Sequence, residues 1–580
     1  MPRTYRVLLL AVVLAFLFGP SLAADGRVTE VFGEVHLWDA ATGKRRHILK
    51  GHRGSINVVN FAPDGRTLAS IALDGAIRFW DVESGRERCS IPGHAQAVRS
   101  LAWPSDGQTL VSTSDDQTVQ LWDATAGPTA VKRRATLRGH YNAVTAVAVA
   151  PVGRTLATGD TDGQIRIWDL PSGKLRYFLH RDSEPIISLD FAPDGKTLAS
   201  TDGNQLRLWE LQDAARTAKA REPLTKEAIG AWNAAFSPDG KSLASVAMVD
   251  FEVFVWDLAT KQLQIVTDRS LIGQPPNPRG VNPSNPLAFA PGGRLLAVGY
   301  SDATVRLLDL TTKSERAILR KHTGAVTGAA YTPDGKTLIS ASQDGTLILW
   351  EVLTGKERAT LEGHSGPVTC VALRPDGRTL ASGSEDTTIL LWDLTAPPAG
   401  RSLPAKPTAA QRQTLWKDLT GDDAARAYQI LCLLFQHPHQ AIALIKEQLA
   451  SVKGPDARRI DRLIADLDSD EFDKREKASQ ELEKLGALAE SALRQARDKA
   501  PSLEMRRRIN VLLEALKKGE PSPQQRQAAR LTEVLERLAT PEARKLLRKL
   551  ATGSSGAWFA AEAKAAIRRL DGRKPAGDRR

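Results

Sequence analysis

Residues 322–351 read HTGAVTGAAYTPDGKTLISASQDGTLILWE, and residues 364–393 read HSGPVTCVALRPDGRTLASGSEDTTILLWD. The two align without a gap. His322 falls over His364, Pro333-Asp334-Gly335 over Pro375-Asp376-Gly377, Ser340 over Ser382, Asp344 over Asp386 and Trp350 over Trp392. Working outward, the closing Trp-Asp or a near variant returns at Trp38, Trp80, Trp122, Trp168, Trp209, Trp256 and Leu308, at intervals of 42, 42, 46, 41, 47, 52, 42 and 42 residues to Trp392. A fixed period of this length marks a repeat architecture, in which each unit is one supersecondary element that needs its neighbours to bury its apolar face.

Inside each period, runs such as Ile165-Arg166-Ile167-Trp168 alternate apolar and polar residues, the two-residue period of strands. Turns recur at Pro63-Asp64-Gly65, Pro193-Asp194-Gly195 and Pro238-Asp239-Gly240 as well as in the two stretches quoted. Pro presets φ, Asp bonds its own backbone and Gly accepts positive φ. Five repeats also place His, a hydroxyl, Asp and Trp at constant offsets. The first three sets are His52, Ser70, Asp74 and Trp80; His94, Ser112, Asp116 and Trp122; and His140, Thr158, Asp162 and Trp168. The other two are His322, Ser340, Asp344 and Trp350, and His364, Ser382, Asp386 and Trp392.

On these residues the chain resembles the WD40-repeat β-propeller family, and the set of four resembles the hydrogen-bonded tetrad that links strands within one blade. The resemblance covers roughly residues 27–395. It implies four-stranded blades around a channel, partner binding on the face that carries the histidine loops, and no catalysis. The third-strand sets and outer strands favour eight blades, with the strand at His47 closing the ring onto the last blade. Seven or nine stay open, because Val35-His36-Leu37-Trp38 fits that closure poorly.

A hydrolase reading of His, Ser and Asp fails on repetition. A nucleophilic triad needs one constellation in one cleft. Here the set recurs blade after blade with an indole donor as fourth member, as a buried network requires if its polar atoms are to be satisfied. Residues 180–310 depart from the pattern, and two insertions fall there, at 211–230 and 268–286. The second contains Pro276, Asn277 and Asn282 and lies on the histidine-loop face, so these three are candidate partner contacts. Arg53, Asp115, Tyr141, Gln343 and Glu385 join them, since each adjoins a tetrad His or Asp.

The ends have another character. Arg3 and Arg6, the apolar run Val7–Phe18 and Ser21-Leu22-Ala23 form the pattern of a secretory signal peptide over 1–23, so an exported protein, periplasmic or extracellular, is expected. The run is too short to span a bilayer, and no later segment is apolar enough. Cys89, Cys370 and Cys432 give no disulfide framework and read as small buried apolar residues. Residues 396–412 read as a Pro-rich linker, 413–572 as an α-helical domain and 573–580 as a basic tail. Helical spacing is clear at Ile509, Leu512, Leu513 and Leu516 and at Leu531, Val534, Leu535 and Leu538, with Ser522-Pro523 and Thr540-Pro541 as starts. Residues 456–518 resemble a HEAT-type helical repeat, which implies a surface for protein contact.

Residues 401–580 hold 36 Lys+Arg against 25 Asp+Glu, whereas 1–400 is nearly balanced. An acidic protein partner for the helical part fits this, and a basic balance alone does not indicate nucleic acid. The chain contains no Walker loop, dinucleotide fingerprint, GxSxG elbow, HExxH or CxxC, and no metal or cofactor set. The function implied is a non-enzymatic scaffold. The competing reading is a propeller enzyme or small-ligand binder with a site in the central channel, where Asp190 is the one carboxylate on an inner strand. A third, envelope attachment through the basic tail, predicts salt-sensitive binding.

Overall fold

A computed structural model describes residues 37–38, 45–124, 131–151, 154–181, 184–202, 205–212, 217–220, 231–247, 253–260, 262–265, 287–396, 403–404, 406–451, 457–485, 487–518, 521–552 and 557–572. The segment expected to be a signal peptide, the 268–286 loop, most of 211–230 and the basic tail lie outside them. Eight antiparallel sheets follow one another along the chain. Blade one spans 56–92; blades two to seven span 98–137, 144–181, 188–220, 231–265, 287–320 and 326–361; blade eight takes its first three strands from 368–393.

The ring closes as the spacing favoured. Arg45–Leu49 pairs with Ile389–Asp393 as the outer strand of blade eight, with Ile48 opposite Leu390 and Leu49 opposite Ile389. Leu37–Trp38, the strand that fitted the closure poorly, pairs outside it as a fifth strand, Leu37 opposite Arg46. Closure removes the open edges that a sheet would otherwise offer for aggregation. Second and third strands are buried almost throughout, as in Thr109–Ser114 and Thr304–Asp309, because they sit between neighbouring blades.

Among the described residues ten helices follow: α1 (Ala409–Thr420), α2 (Ala424–Gln436), α3 (Pro438–Ser451), α4 (Ala457–Asp466), α5 (Phe472–Leu485), α6 (Ala487–Lys499), α7 (Leu503–Lys518), α8 (Pro523–Leu538), α9 (Pro541–Thr552) and α10 (Ala557–Gly572). Ser522 and Thr408 form capping boxes with Gln525 and Gln411. The helices begin earlier than expected. α1 lies partly within the stretch read as linker, and Leu403 in that stretch is buried.

The helical part has two cores. Ile460, Ile464, Leu482, Leu493, Ile509 and Leu513 pack α4–α7 together. The other helices share one apolar cluster with blades seven and eight, which joins Leu349, Leu361 and Trp392 to Leu431, Leu531 and Leu547. The tether expected between two separate binding surfaces is therefore replaced by a continuous core. A buried charge network reinforces it. Arg530 of α8 donates from Nε and Nη2 to Glu351 (2.7 and 2.9 Å), and Arg358 donates to both oxygens of Glu533 (2.8 and 2.9 Å). Lys336 Nζ donates to Ala529 O and Thr532 Oγ1 (both 2.7 Å), and Arg537 reaches Asp334 (3.4 Å). Burial alone would raise the Glu351 pKa, but Arg530 and Arg358 outweigh it and hold the carboxyl at about 2. Part of the basic excess of the helices thus meets carboxylates of the propeller itself, while Arg506 and Arg507 stay exposed.

Candidate functional site

Four of the five tetrads join the residues expected. Trp80 Nε1 donates to Ser70 Oγ (2.8 Å), Ser70 Oγ meets His52 Nε2 (2.8 Å), and His52 Nδ1 meets Asp74 (2.9 Å). An ionised carboxylate only accepts, so Nδ1 carries the proton and Nε2 accepts from the hydroxyl. Blade two repeats this: Trp122 Nε1 donates to Ser112 Oγ (2.8 Å), Ser112 Oγ meets His94 Nε2 (2.7 Å), and His94 Nδ1 meets Asp116 (3.1 Å). In blades seven and eight Trp350 reaches Ser340 at 2.9 Å and Trp392 reaches Ser382 at 2.8 Å. There His322 meets Asp344 at 3.0 Å and His364 meets Asp386 at 3.1 Å. In all four blades the aspartate also accepts the backbone N–H after the histidine, as Asp74 does from Arg53 (2.9 Å) and Asp344 from Thr323 (2.9 Å). Each network therefore pins the two loops of the upper face.

Blade three corrects the sequence assignment in one member. Its hydroxyl stands as expected: Thr158 Oγ1 accepts from Trp168 Nε1 (2.8 Å) and meets His140 Nε2 (2.7 Å). The carboxylate differs, because His140 Nδ1 meets Asp160 at 2.6 Å, not Asp162. Blade three has an aspartate two residues after Thr158, where blades one, two, seven and eight have Ala72, Ser114, Ser342 and Ser384 after Ser70, Ser112, Ser340 and Ser382. Asp160 is on the strand, fully buried and bonded to the imidazole, and Asp162 is left to accept from Asn142 (2.5 Å). The signal was legible in Asp160-Thr161-Asp162, where two aspartates compete. Blade four keeps a two-member remnant, Trp209 to Ser200 (2.8 Å). In blade five the Trp256 indole and the Ser245 hydroxyl make no hydrogen bond among the described residues.

Burial favours the neutral form of four of these imidazoles. Burial lowers the pKa values of His52, His94, His140 and His322 below 6.5, outweighing the pull of the nearby aspartates. The unfolded chain binds more protons wherever a folded-state histidine pKa is depressed, so stability is full above 6.5 and falls as pH drops below it. For Asp74, Asp116 and Asp344 burial is outweighed by hydrogen bonds to the ionised form, and their contribution is lost only below 3.8. The melting temperature is expected to fall from pH 7 to pH 5 and again below pH 4. A calorimetric series flat between pH 7 and pH 5 would refute the histidine part.

Around the upper mouth of the channel, Arg53, Tyr141, Gln343 and Glu385 are exposed. Asp115 is half-buried and bound by Arg99, at 2.7 Å from Nε and 2.5 Å from Nη2. Leu73, which the sequence reading missed, stands 59% exposed just before Asp74, at the register of Asp115, Gln343 and Glu385, and Tyr141 is 65% exposed. Leucine at that register was the overlooked signal. Pro276, Asn277 and Asn282 lie outside the described residues.

The channel holds a cavity of about 610 Å³ lined mainly by small and apolar side chains, with Arg99 and Asp115 on its wall. Asp190 points into the seam between blades, where its carboxyl accepts the Phe236 N–H (2.8 Å) and burial pushes its pKa up to about 6. It does not line the cavity. Among the described residues no group of three or more His, Cys, Asp or Glu could hold a metal ion. No helix among them is long and apolar enough to cross a membrane. Cys370 and Cys432 are buried as expected, whereas Cys89 is half-buried.

A family model described as WD domain, G-beta repeat, matches residues 43–81, 85–123, 131–169, 173–210, 313–351 and 355–393. The unmatched stretch between 210 and 313 carries blades five and six, whereas blade four, with its two-member remnant, falls largely within a matched segment. Over 41 residues the chain is 46% identical to the serine-threonine kinase receptor-associated protein of Dictyostelium discoideum, a match that spans 7% of this chain and 14% of that protein. Among solved structures, the computationally designed Ika8 protein is similar at 26% identity and a TM-score of 0.49, over 60% of this chain and 98% of that one. The chain thus carries WD40 repeats, arranged as an eight-bladed β-propeller and followed by a helical region docked against its last two blades.

Proposed function

We propose that this chain is a non-enzymatic scaffold, working after export, that holds another protein on the upper face of the propeller. WD40 propellers generally mediate protein–protein interaction, which supports the class. The observation that carries the reading is the pair of large exposed side chains, Leu73 and Tyr141, with Arg53 in the same set of loops. Exposed apolar and aromatic groups on loops fixed by buried networks keep their geometry without a partner, which reduces the ordering cost of binding.

The test is a pull-down at controlled salt from the fraction in which the chain resides, using the full chain and the variants Leu73→Asp and Tyr141→Ala. Both sites are exposed, so neither change should unfold the protein. Specific proteins retained by the wild type and lost at least tenfold by the variants would support the scaffold. The channel cavity of about 610 Å³ makes a small-ligand site the second reading. A bound small molecule with no protein partner would favour it and overturn the first.

A further inference from the structure

The seat that α8 occupies on blade seven has a second copy on blade one. Asp64, Arg66, Asp81 and Arg88 stand where Asp334, Lys336, Glu351 and Arg358 stand in blade seven. The wiring is the same. Arg88 Nη1 donates to Thr67 Oγ1 (2.9 Å) as Arg358 Nη1 donates to Thr337 Oγ1 (2.8 Å). Arg88 pairs with Asp81 as Arg358 pairs with Glu351. Each arginine is the extra residue of a β-bulge opposite the third strand, which aims it at the lower face. Blade three repeats the pair as Arg176–Asp169 (2.9 Å), but its turn reads Pro151-Val152-Gly153 and offers no aspartate.

The two seats differ in their cover. Asp334, Glu351 and Arg358 are buried under α8. Asp64 is exposed, Asp81 and Arg88 are half-buried, and the latter two open onto a cavity of about 730 Å³ in the seam between blades eight and one. Arg374 also lines that cavity, from a turn position held by Ala62, Ala192, Ala290 or Thr332 in other blades.

On α8 the seat of blade seven is read by Arg530 on Glu351, Glu533 on Arg358 and Arg537 on Asp334. These residues lie three and four apart, on one face of a helix. We propose that the blade-one seat binds a partner protein through a helix that presents the same order of charge, Arg-x-x-Glu-x-x-x-Arg, against Asp81, Arg88 and Asp64. This lower-face site is independent of the upper-face reading, and either can fail alone.

The probe is a fluorescein-labelled peptide of residues 521–540, titrated into the full chain at low salt and followed by anisotropy. Saturable binding is expected, weakened at least tenfold by Arg88→Ala and severalfold by Asp64→Asn, which keeps the turn. A peptide with Arg530 and Glu533 interchanged should not bind. Circular dichroism melts of each variant separate loss of the seat from loss of fold. No saturable binding to the wild type overturns the proposal. So does binding insensitive to both substitutions, which is what exchange with the chain's own α8 on blade seven would give.

Discussion

Replacing Glu533 by alanine is expected to destabilise the docking of the helices on the propeller by about 3–5 kcal/mol, because the buried Arg358 guanidinium loses its two-bond partner and keeps only the longer pairing to Glu351 (3.3 Å). Arg358 is fully buried and gives two hydrogen bonds to Glu533, and Arg537 lies 3.5 Å from the same carboxylate. Removing that carboxylate forfeits the attraction while the desolvation of both cations remains. Chemical denaturation followed by limited proteolysis between blade eight and α1 would show the helices released before the propeller unfolds. The double variant Glu533→Leu with Arg358→Met should recover much of the loss, since an apolar pair of similar volume carries no desolvation cost. A single variant as stable as the wild type would mean that the shared apolar cluster alone holds the two parts together.

Deleting residues 37–49 should have a comparable or larger effect. The deletion removes the outer strand of blade eight and its four registered pairs, exposes the backbone edge of Ile389–Asp393, and takes Leu49 out of the cluster it shares with Ile56, Trp80 and Leu391. An unpaired edge is a template for association. Light scattering should show oligomers at concentrations where the wild type stays dispersed, and the melting temperature should fall by roughly 5 °C, as loss of a few kcal/mol implies for a propeller of this size. A monodisperse product with an unchanged melt would show that closure is dispensable.

Much of the propeller was legible in the sequence because its signals are local and repeated. Trp at the end of seven of the eight third strands, Pro-Asp-Gly in five turns and His before five first strands give the period, the blade order and the closing strand at His47. Leu37–Trp38 was less so, since a fifth strand outside the closure breaks the four-strand count. Asp160 was missed for a physical reason. Spacing from Thr158 picked Asp162 by analogy with Asp116 after Ser112, but proximity decides which carboxylate accepts the imidazole N–H. Docking of the helices was missed because it depends on pairs nearly 200 residues apart, such as Arg530 with Glu351 and Arg358 with Glu533. Its trace in the sequence was Glu351, a glutamate where most blades carry the aspartate of the repeat, long enough to reach a helix. Leu73 was overlooked because one apolar residue on a polar face has no period.

Closure by the strand that precedes blade one also fixes an order of events during synthesis. Arg45–Leu49 leaves the ribosome before any blade is complete, yet its only ladder partner within the ring is the third strand of the last blade. The inner seam shows the same reach, since Thr369 Oγ1 donates to Ile56 O across 313 residues. Contacts of such long range form late and slowly. A nascent chain therefore carries an orphan strand and an open arc of blades until the last repeat emerges, a period in which a chaperone or a second nascent chain competes for that strand. The helices that cover blades seven and eight follow the last repeat in the chain, and they seal the ring where it has just joined.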